Sequence, residues 1–272
     1  MAEFSLFRRP FEIKRVPGFQ TIALFTFVAL YVPVVLLVVY SFNKGSSVAI
    51  WEGFSWRWYQ QAWNNEAVQE AALRSLGLAA TAASIATVAA TMAALATTRK
   101  KPFKGQTAVY ALINQPLMVP EIVTAVALLI FFALIKVSTG YTGMAYLIVA
   151  HTAFCIPFAY LPIRARLESM DLTLETAAAD LCATPWLTFR RVTLPLMWPG
   201  IVAGLMLAFV ISLDDVVITE FVKSAGQETL PTYMLGQMRR VVTPEVNAIS
   251  SALLAISIFF VALFFILTGR KE

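Results

Sequence analysis

Six runs of apolar residues, each long enough to cross a bilayer as a helix, constrain this chain more than any other feature. The hydrocarbon core is about 30 Å thick and a helix rises about 1.5 Å per residue, so about 20 consecutive apolar residues suffice. The runs cover 21–42, 76–96, 107–135, 144–163, 200–222 and 248–267. Charged residues make up only 14% of the chain and hydrophobic ones 59%, which leaves too few charges to cover a water-facing surface. A membrane barrel would alternate polar and apolar positions in segments of about ten residues. The expectation is an all-α membrane protein with six transmembrane helices. A segment 1–20 precedes the membrane domain at 21–268, and a short tail follows at 269–272.

The second run is dominated by small residues, among them Ala79, Ala82, Ala83, Ala86, Ala90 and Ala94. Lipid offers helices no hydrophobic drive to associate, and small residues let their backbones approach closely. This helix is therefore expected at the centre of the bundle. The first run has 22 residues, longer than the core of a cleaved signal, and reads as a retained membrane helix. Six crossings put both termini on one side. Arg8, Arg9, Lys14, Arg15, Arg99, Lys100, Lys101, Lys104, Arg164, Arg166, Arg190, Arg191, Arg270 and Lys271 lie there, 14 basic residues against six opposite. By the positive-inside rule that side is cytoplasmic. The net charge of +5 is thus a topology signal and gives no reason to invoke nucleic acid.

Three connections are long. Residues 43–72 carry Trp51, Trp56, Trp58 and Trp63 and read as a helix lying at the membrane–water interface. Residues 223–246 are polar, punctuated by Gly226, Pro231 and Pro244. The third, 164–195, lies on the basic side and is far longer than the two to eight residues of a passive helix connection. Asp171 or Thr173 can cap a short helix over 174–181, and Thr184 before Pro185 can start a second. Ala177, Ala178 and Ala179 at the centre of such a knob allow close seating in another protein's groove. Leu174, Leu181 and Trp186 can supply apolar anchors.

The segment Glu175-Thr-Ala-Ala-Ala-Asp-Leu-Cys182, followed nine residues later by Val192-Thr-Leu-Pro195, resembles the Glu-Ala-Ala…Gly…Ile-x-Leu-Pro loop of ABC importer permease subunits. Thr176 stands at the Glu of that motif and Cys182 at its Gly. Cysteine takes a left-handed turn less readily than glycine, so the junction between the short helices is expected to differ slightly. Over residues 50–265, Gly53-Phe-Ser-Trp-Arg-Trp-Tyr59, Pro120-Glu-Ile-Val123, Ser212-Leu-Asp-Asp215 and Thr243-Pro-Glu-Val-Asn-Ala248 are similar to spermidine/putrescine importer permeases, in particular the second of their two permease subunits. This resemblance implies the type I permease fold and a coupling loop at 164–196. In that loop Glu175, Thr176, Ala177, Ala178, Asp180, Cys182, Pro185, Trp186, Leu194 and Pro195 would meet an ATP-hydrolysing subunit. It also implies a heterodimer with a sister permease, two ATP-binding subunits, an extracytoplasmic substrate-binding protein, and a polyamine carried across a bacterial inner membrane.

Charges at mid-membrane cost about 2.5–3.5 kcal/mol on insertion scales and are functional candidates by default. Asp214 and Asp215 lie in the fifth run, Glu220 near its end, and Glu121 after Pro120 in the third. At about 100° per residue the two aspartates point in different directions, so one can face a transport path while the other caps or pairs. With Tyr141 or Tyr233 these acids supply the acceptors and ring faces that hold an ammonium. Glu121 is expected chiefly to stabilise the Pro-broken third helix, with a pathway role as the alternative. His151 is expected to be buried and bonded to a backbone carbonyl. A phosphate-cradling Gly-x-x-x-x-Gly-Lys-Ser/Thr loop does not occur, no nucleophile–base pair is evident, and one His with two Cys suggests no metal site. The chain is expected to be a transport subunit, not an enzyme, with no cofactor of its own, ATP and magnesium belonging to its partner. The alternatives are a permease for another small solute, or an ion-coupled secondary transporter using Asp214 and Asp215.

Overall fold

The computed structural model describes residues 19–99, 103–240 and 243–268. The basic residues Arg8, Arg9, Lys14, Arg15, Lys100, Lys101, Arg270 and Lys271, with the segments 1–18 and 269–272, lie outside the described residues. In chain order the helices are α1 (Phe19–Tyr40), α2 (Arg57–Asn64), α3 (Glu66–Thr98), α4 (Gln106–Met118), α5 (Glu121–Thr139) and α6 (Ala145–Ser169). They are followed by α7 (Thr173–Asp180), α8 (Pro185–Thr188), a π-turn (Phe189–Thr193), α9 (Leu194–Asp214), α10 (Val217–Val222), α11 (Leu230–Met238) and α12 (Pro244–Thr268). Among the described residues the β pairing is one bridge, Asn43 to Phe54. Six helices there are long and apolar enough to cross a membrane: Gln20–Tyr40, Glu66–Thr98, Glu121–Thr139, Ala145–Ser169, Pro185–Asp214 and Pro244–Ala262.

Two of the runs fold differently from the single helices their hydropathy suggests. The third breaks in two at Val119–Pro120. A residue before proline is pushed out of the α region, and Val119 accordingly turns extended (φ −95°, ψ 136°), ending α4. Pro120 then stands as the N-cap of α5. The fifth run starts earlier and stops sooner than 200–222. The helix beginning at Pro185 passes through the π-turn straight into α9, and α9 ends at Asp214 where Asp215 turns extended (φ −65°, ψ 131°).

α3 is the axis of the bundle. Its 33 residues span about 50 Å. Ala79, Ala82, Ala83, Ala86, Ala90 and Ala94 are fully buried in it, packed on α6 and α9. Small residues also set the α6–α9 crossing. A Cβ at Gly204 would lie 2.6 Å from the Ala159 carbonyl oxygen, and one at Gly200 2.6 Å from Cβ of Arg166. The Gly-x-x-x-Gly spacing therefore lets α9 rest its backbone on α6. Tyr160, Ile163, Leu167 and Met197 fill the core beside this contact. α1 differs: it packs against α12 and exposes Phe25, Leu30 and Val35, as suits a helix facing lipid.

The connection after α1 is tied by fully buried Asn43. Its amide donates to the carbonyls of Ser47 (2.8 Å) and Ile50 (2.7 Å), and its Oδ1 accepts from the Glu52 N–H (2.9 Å). The tryptophans there divide. Trp51, Trp56 and Trp63 are exposed, whereas Trp58 turns inward and donates its indole N–H to the Asn43 carbonyl at 2.8 Å.

Candidate cation site and partner-docking loop

The breaks in the third and fifth runs meet at one cavity of about 420 Å³, lined by Glu121, Phe154, Phe158, Val210, Ile211, Asp214, Asp215, Val216 and Val217. Glu121 opens α5, so its carboxylate sits at the positive end of that helix. Asp214 is the last residue of α9, where unpartnered carbonyls make the helix end negative. The Asp214 side chain is exposed and makes no ion pair among the described residues. A carboxylate at the negative end of a helix is electrostatically unfavourable without a nearby positive charge. Phe154 and Phe158, one helical turn apart with ring centroids at 5.4 Å, add ring faces that attract ammonium groups.

Asp215 has a different task. It is buried, and its carboxylate accepts from the backbone N–H of Ile218 (3.3 Å) and Thr219 (2.9 Å) and from the Thr219 hydroxyl (2.8 Å). These bonds cap α10 and hold the break open. Thr219 spends its single hydroxyl hydrogen on Asp215, so in the 2.9 Å contact with His151 Nε2 it must accept. Nδ1 of a neutral ring then accepts from Ser212 Oγ at 2.8 Å. Donors thus run in one direction, from Ser212 through His151 and Thr219 to Asp215. His151 therefore bonds side-chain hydroxyls where a backbone carbonyl was expected.

The remaining acids and rings of the sequence reading lie elsewhere. Glu220 pairs with Lys223 at 2.8 Å on α10. The Tyr233 hydroxyl accepts from Asn65 Nδ2 (3.3 Å) within a polar cluster where Glu245 accepts from Asn65 and Gln61. Tyr141 is exposed and stacks edge-on against Tyr146. Phe154, Phe158 and Thr219 were not singled out from the sequence. The four-residue spacing of the two phenylalanines is a signal that apolar helices carry in many places, so it could not mark them.

The loop at 164–196 folds as a compact knob. Asp171 Oδ1 accepts from the Thr173 N–H at 2.9 Å, and this bond holds its carboxyl below the usual range. α7 closes in a Schellman turn, with Ala183 N–H bonded to the Ala178 carbonyl (3.0 Å) and Cys182 N–H to that of Ala179 (2.9 Å). Cys182 takes φ +58°, the one positive φ at a non-glycine among the described residues. The junction therefore keeps the left-handed turn, at the steric cost of a Cβ. Thr184 caps the next helix through the Leu187 N–H, with Pro185 in its first turn. Leu172, Leu174, Leu181 and Trp186 are exposed, Leu181 at 84% and Trp186 at 68%, with Trp186 stacked on Phe189. Asp180 and Thr176 are also exposed. Glu175 is engaged instead: its Oε1 accepts from Arg99 Nε (3.1 Å) and Thr193 Oγ1 (3.0 Å).

Residues 86–270 match the family model described as "Binding-protein-dependent transport system inner membrane component". The chain is 38% identical over 243 residues to the spermidine/putrescine transport system permease protein PotC of Haemophilus influenzae, covering 89% of this chain and 93% of that protein. It is 37% identical over 265 residues to the putrescine transport system permease protein PotI of Escherichia coli K12, covering 96% and 94%. Among solved structures, a bacterial ABC transporter involved in the import of the acidic polysaccharide alginate superposes with a TM-score of 0.69 at 17% identity, covering 93% of this chain and 94% of that one. The MetNI methionine ABC transporter gives 0.60 at 17% identity, covering 80% and 97%. At such identities the likeness is one of fold.

Proposed function

Because this multi-pass membrane chain belongs to the binding-protein-dependent transport system inner membrane components, a family of importer permeases, we propose that it carries a linear polyamine, putrescine or spermidine, through the cavity at Asp214. The observation that carries this reading is the Asp214 carboxylate at the end of α9, exposed and without an ion pair among the described residues, facing a cavity it shares with Glu121 and two phenylalanines. Carboxylates and ring faces suit ammonium groups, whereas the apolar walls between them suit the methylene chain. The names of the relatives support the same class of substrate. Glu220 and Tyr233 lie outside this cavity and serve, in this reading, only the path beyond it.

The knob of α7 and α8 is the docking element for a separate ATP-hydrolysing subunit, with Trp186 and Leu181 as anchors. The chain itself has no phosphate-cradling loop, so ATP and magnesium are held by that partner. A sister permease completes the path, two ATPase subunits drive it, and an extracytoplasmic binding protein delivers the substrate. The membrane is a bacterial inner membrane, with the knob and both termini on the cytoplasmic side. ATP binding then pulls the knobs together and switches the path between its two openings.

Uptake of labelled putrescine into proteoliposomes holding the full complex tests the site. Asp214→Asn is expected to lower uptake about tenfold, the worth of a charged hydrogen bond, with assembly unchanged. Wild-type uptake by that variant would remove Asp214 from the path.

A further inference from the structure

The knob is joined through the backbone to α6 and α9 but not to α3, the central helix. Any displacement of the knob reaches α3 only through side chains. A cavity of about 680 Å³ is lined by Met92, Leu95, Ala96 and Arg99 of the α3 end and by Ala183 and Phe189 of the knob side. Among the described residues, one charged link lies at this cavity. Arg99 caps α3, and its Nε donates to Glu175 Oε1 at 3.1 Å. The same oxygen accepts from Thr193 Oγ1, the last residue of the π-turn. The pair is mostly sheltered, with Arg99 17% and Glu175 23% exposed, and Thr193 is buried.

We propose that Arg99, Glu175 and Thr193 form a strut that carries displacement of the knob to α3, with Glu175 as the positioning residue. Glu175 holds three pieces of backbone at one point: α7, the wide turn entering α9, and the end of α3. A charged pair suits a gap that must change shape, because it is directional and stays attractive over a range of separations. Apolar interdigitation would have only discrete packed arrangements. α3 is buried against α6 and α9 along its small-residue face, so a displacement at its end acts directly on the helix at the centre of the bundle. The proposal rests on the reading that the knob receives the ATPase subunit.

The test uses the reconstituted complex of both permeases, the ATPase subunits and the binding protein, with putrescine as the probe. It reads putrescine taken up per ATP hydrolysed. Glu175→Gln is expected to assemble and to hydrolyse ATP, but to lower that ratio about fivefold, the scale of a mutation along a coupling route. Arg99→Glu lowers it likewise, and the exchange Arg99→Glu with Glu175→Arg restores most of it. A Glu175→Gln complex with the wild-type ratio overturns the strut. So does one that fails to assemble, or an exchanged pair no better than the single variants. Trp186→Asp separates the two readings. If it leaves ATPase binding and stimulation intact, the docking reading fails and takes the strut with it. If it abolishes them, a negative result at Glu175 counts against the strut alone.

Discussion

Asp214 in the cavity and Glu175 in the knob are carboxylates set among apolar neighbours, and the structure treats them in opposite ways. Glu175 is matched by an arginine and a hydroxyl from two other elements. Asp214 is left exposed at the end of a helix whose own field disfavours it. Its neighbour Asp215 is engaged as fully as Glu175, although one residue away. In the proposed reading the engaged carboxylate holds parts of the protein together, and the exposed one takes a ligand. The proposals of cavity binding and of transmission through the knob both rest on this contrast.

The contrast is most exposed to failure at Asp215. Asp215→Ala leaves two backbone N–H groups, the Thr219 hydroxyl and the His151 donor chain without their acceptor. It is expected to lower stability by about 3 kcal/mol, while Asp214→Ala changes it by less than about 0.5 kcal/mol. Thermal inactivation in detergent would measure both, and equal losses would erase the distinction. Trp186→Ala should weaken association with the ATPase subunit about 30-fold, as expected of an exposed aromatic anchor, without affecting putrescine binding to the cavity. Titrating the ATPase onto the reconstituted permease pair would show it. Thr219→Val interrupts the donor chain between His151 and Asp215 and should cost about 1–2 kcal/mol in the same inactivation assay. Cys182→Gly is the mildest change and acts in the opposite direction. Relief of the left-handed Cβ should stabilise the α7 turn by about 1 kcal/mol, read as slower hydrogen exchange at the Ala183 amide. Cys182→Ala, which keeps a Cβ, should bring no such gain.

The two breaks show where reading the chain residue by residue stops. Hydropathy alone draws 107–135 and 200–222 as continuous helices, since apolar content is indifferent to a kink. Pro120 marks the first break in the chain's own chemistry, through its effect on Val119. The second had an adjacent pair of aspartates as its only sign, and two adjacent residues do not say which one caps. The Gly200-x-x-x-Gly204 spacing was not singled out from the sequence, and the structure shows that it sets the close approach of α9 to α6.

The helical class, the six crossings, the central small-residue helix and the capped knob all follow from the chain itself. They depend on local quantities: apolar length against bilayer thickness, side-chain size, and the capping chemistry of Asp171, Thr184 and Pro185. Only the tertiary structure decided that Asp214 is exposed while Asp215 is buried and bonded, and that Arg99 meets Glu175 across 76 positions of chain. Those outcomes depend on where helices cross and break. A side chain's partners there come from distant segments, and no local rule names them.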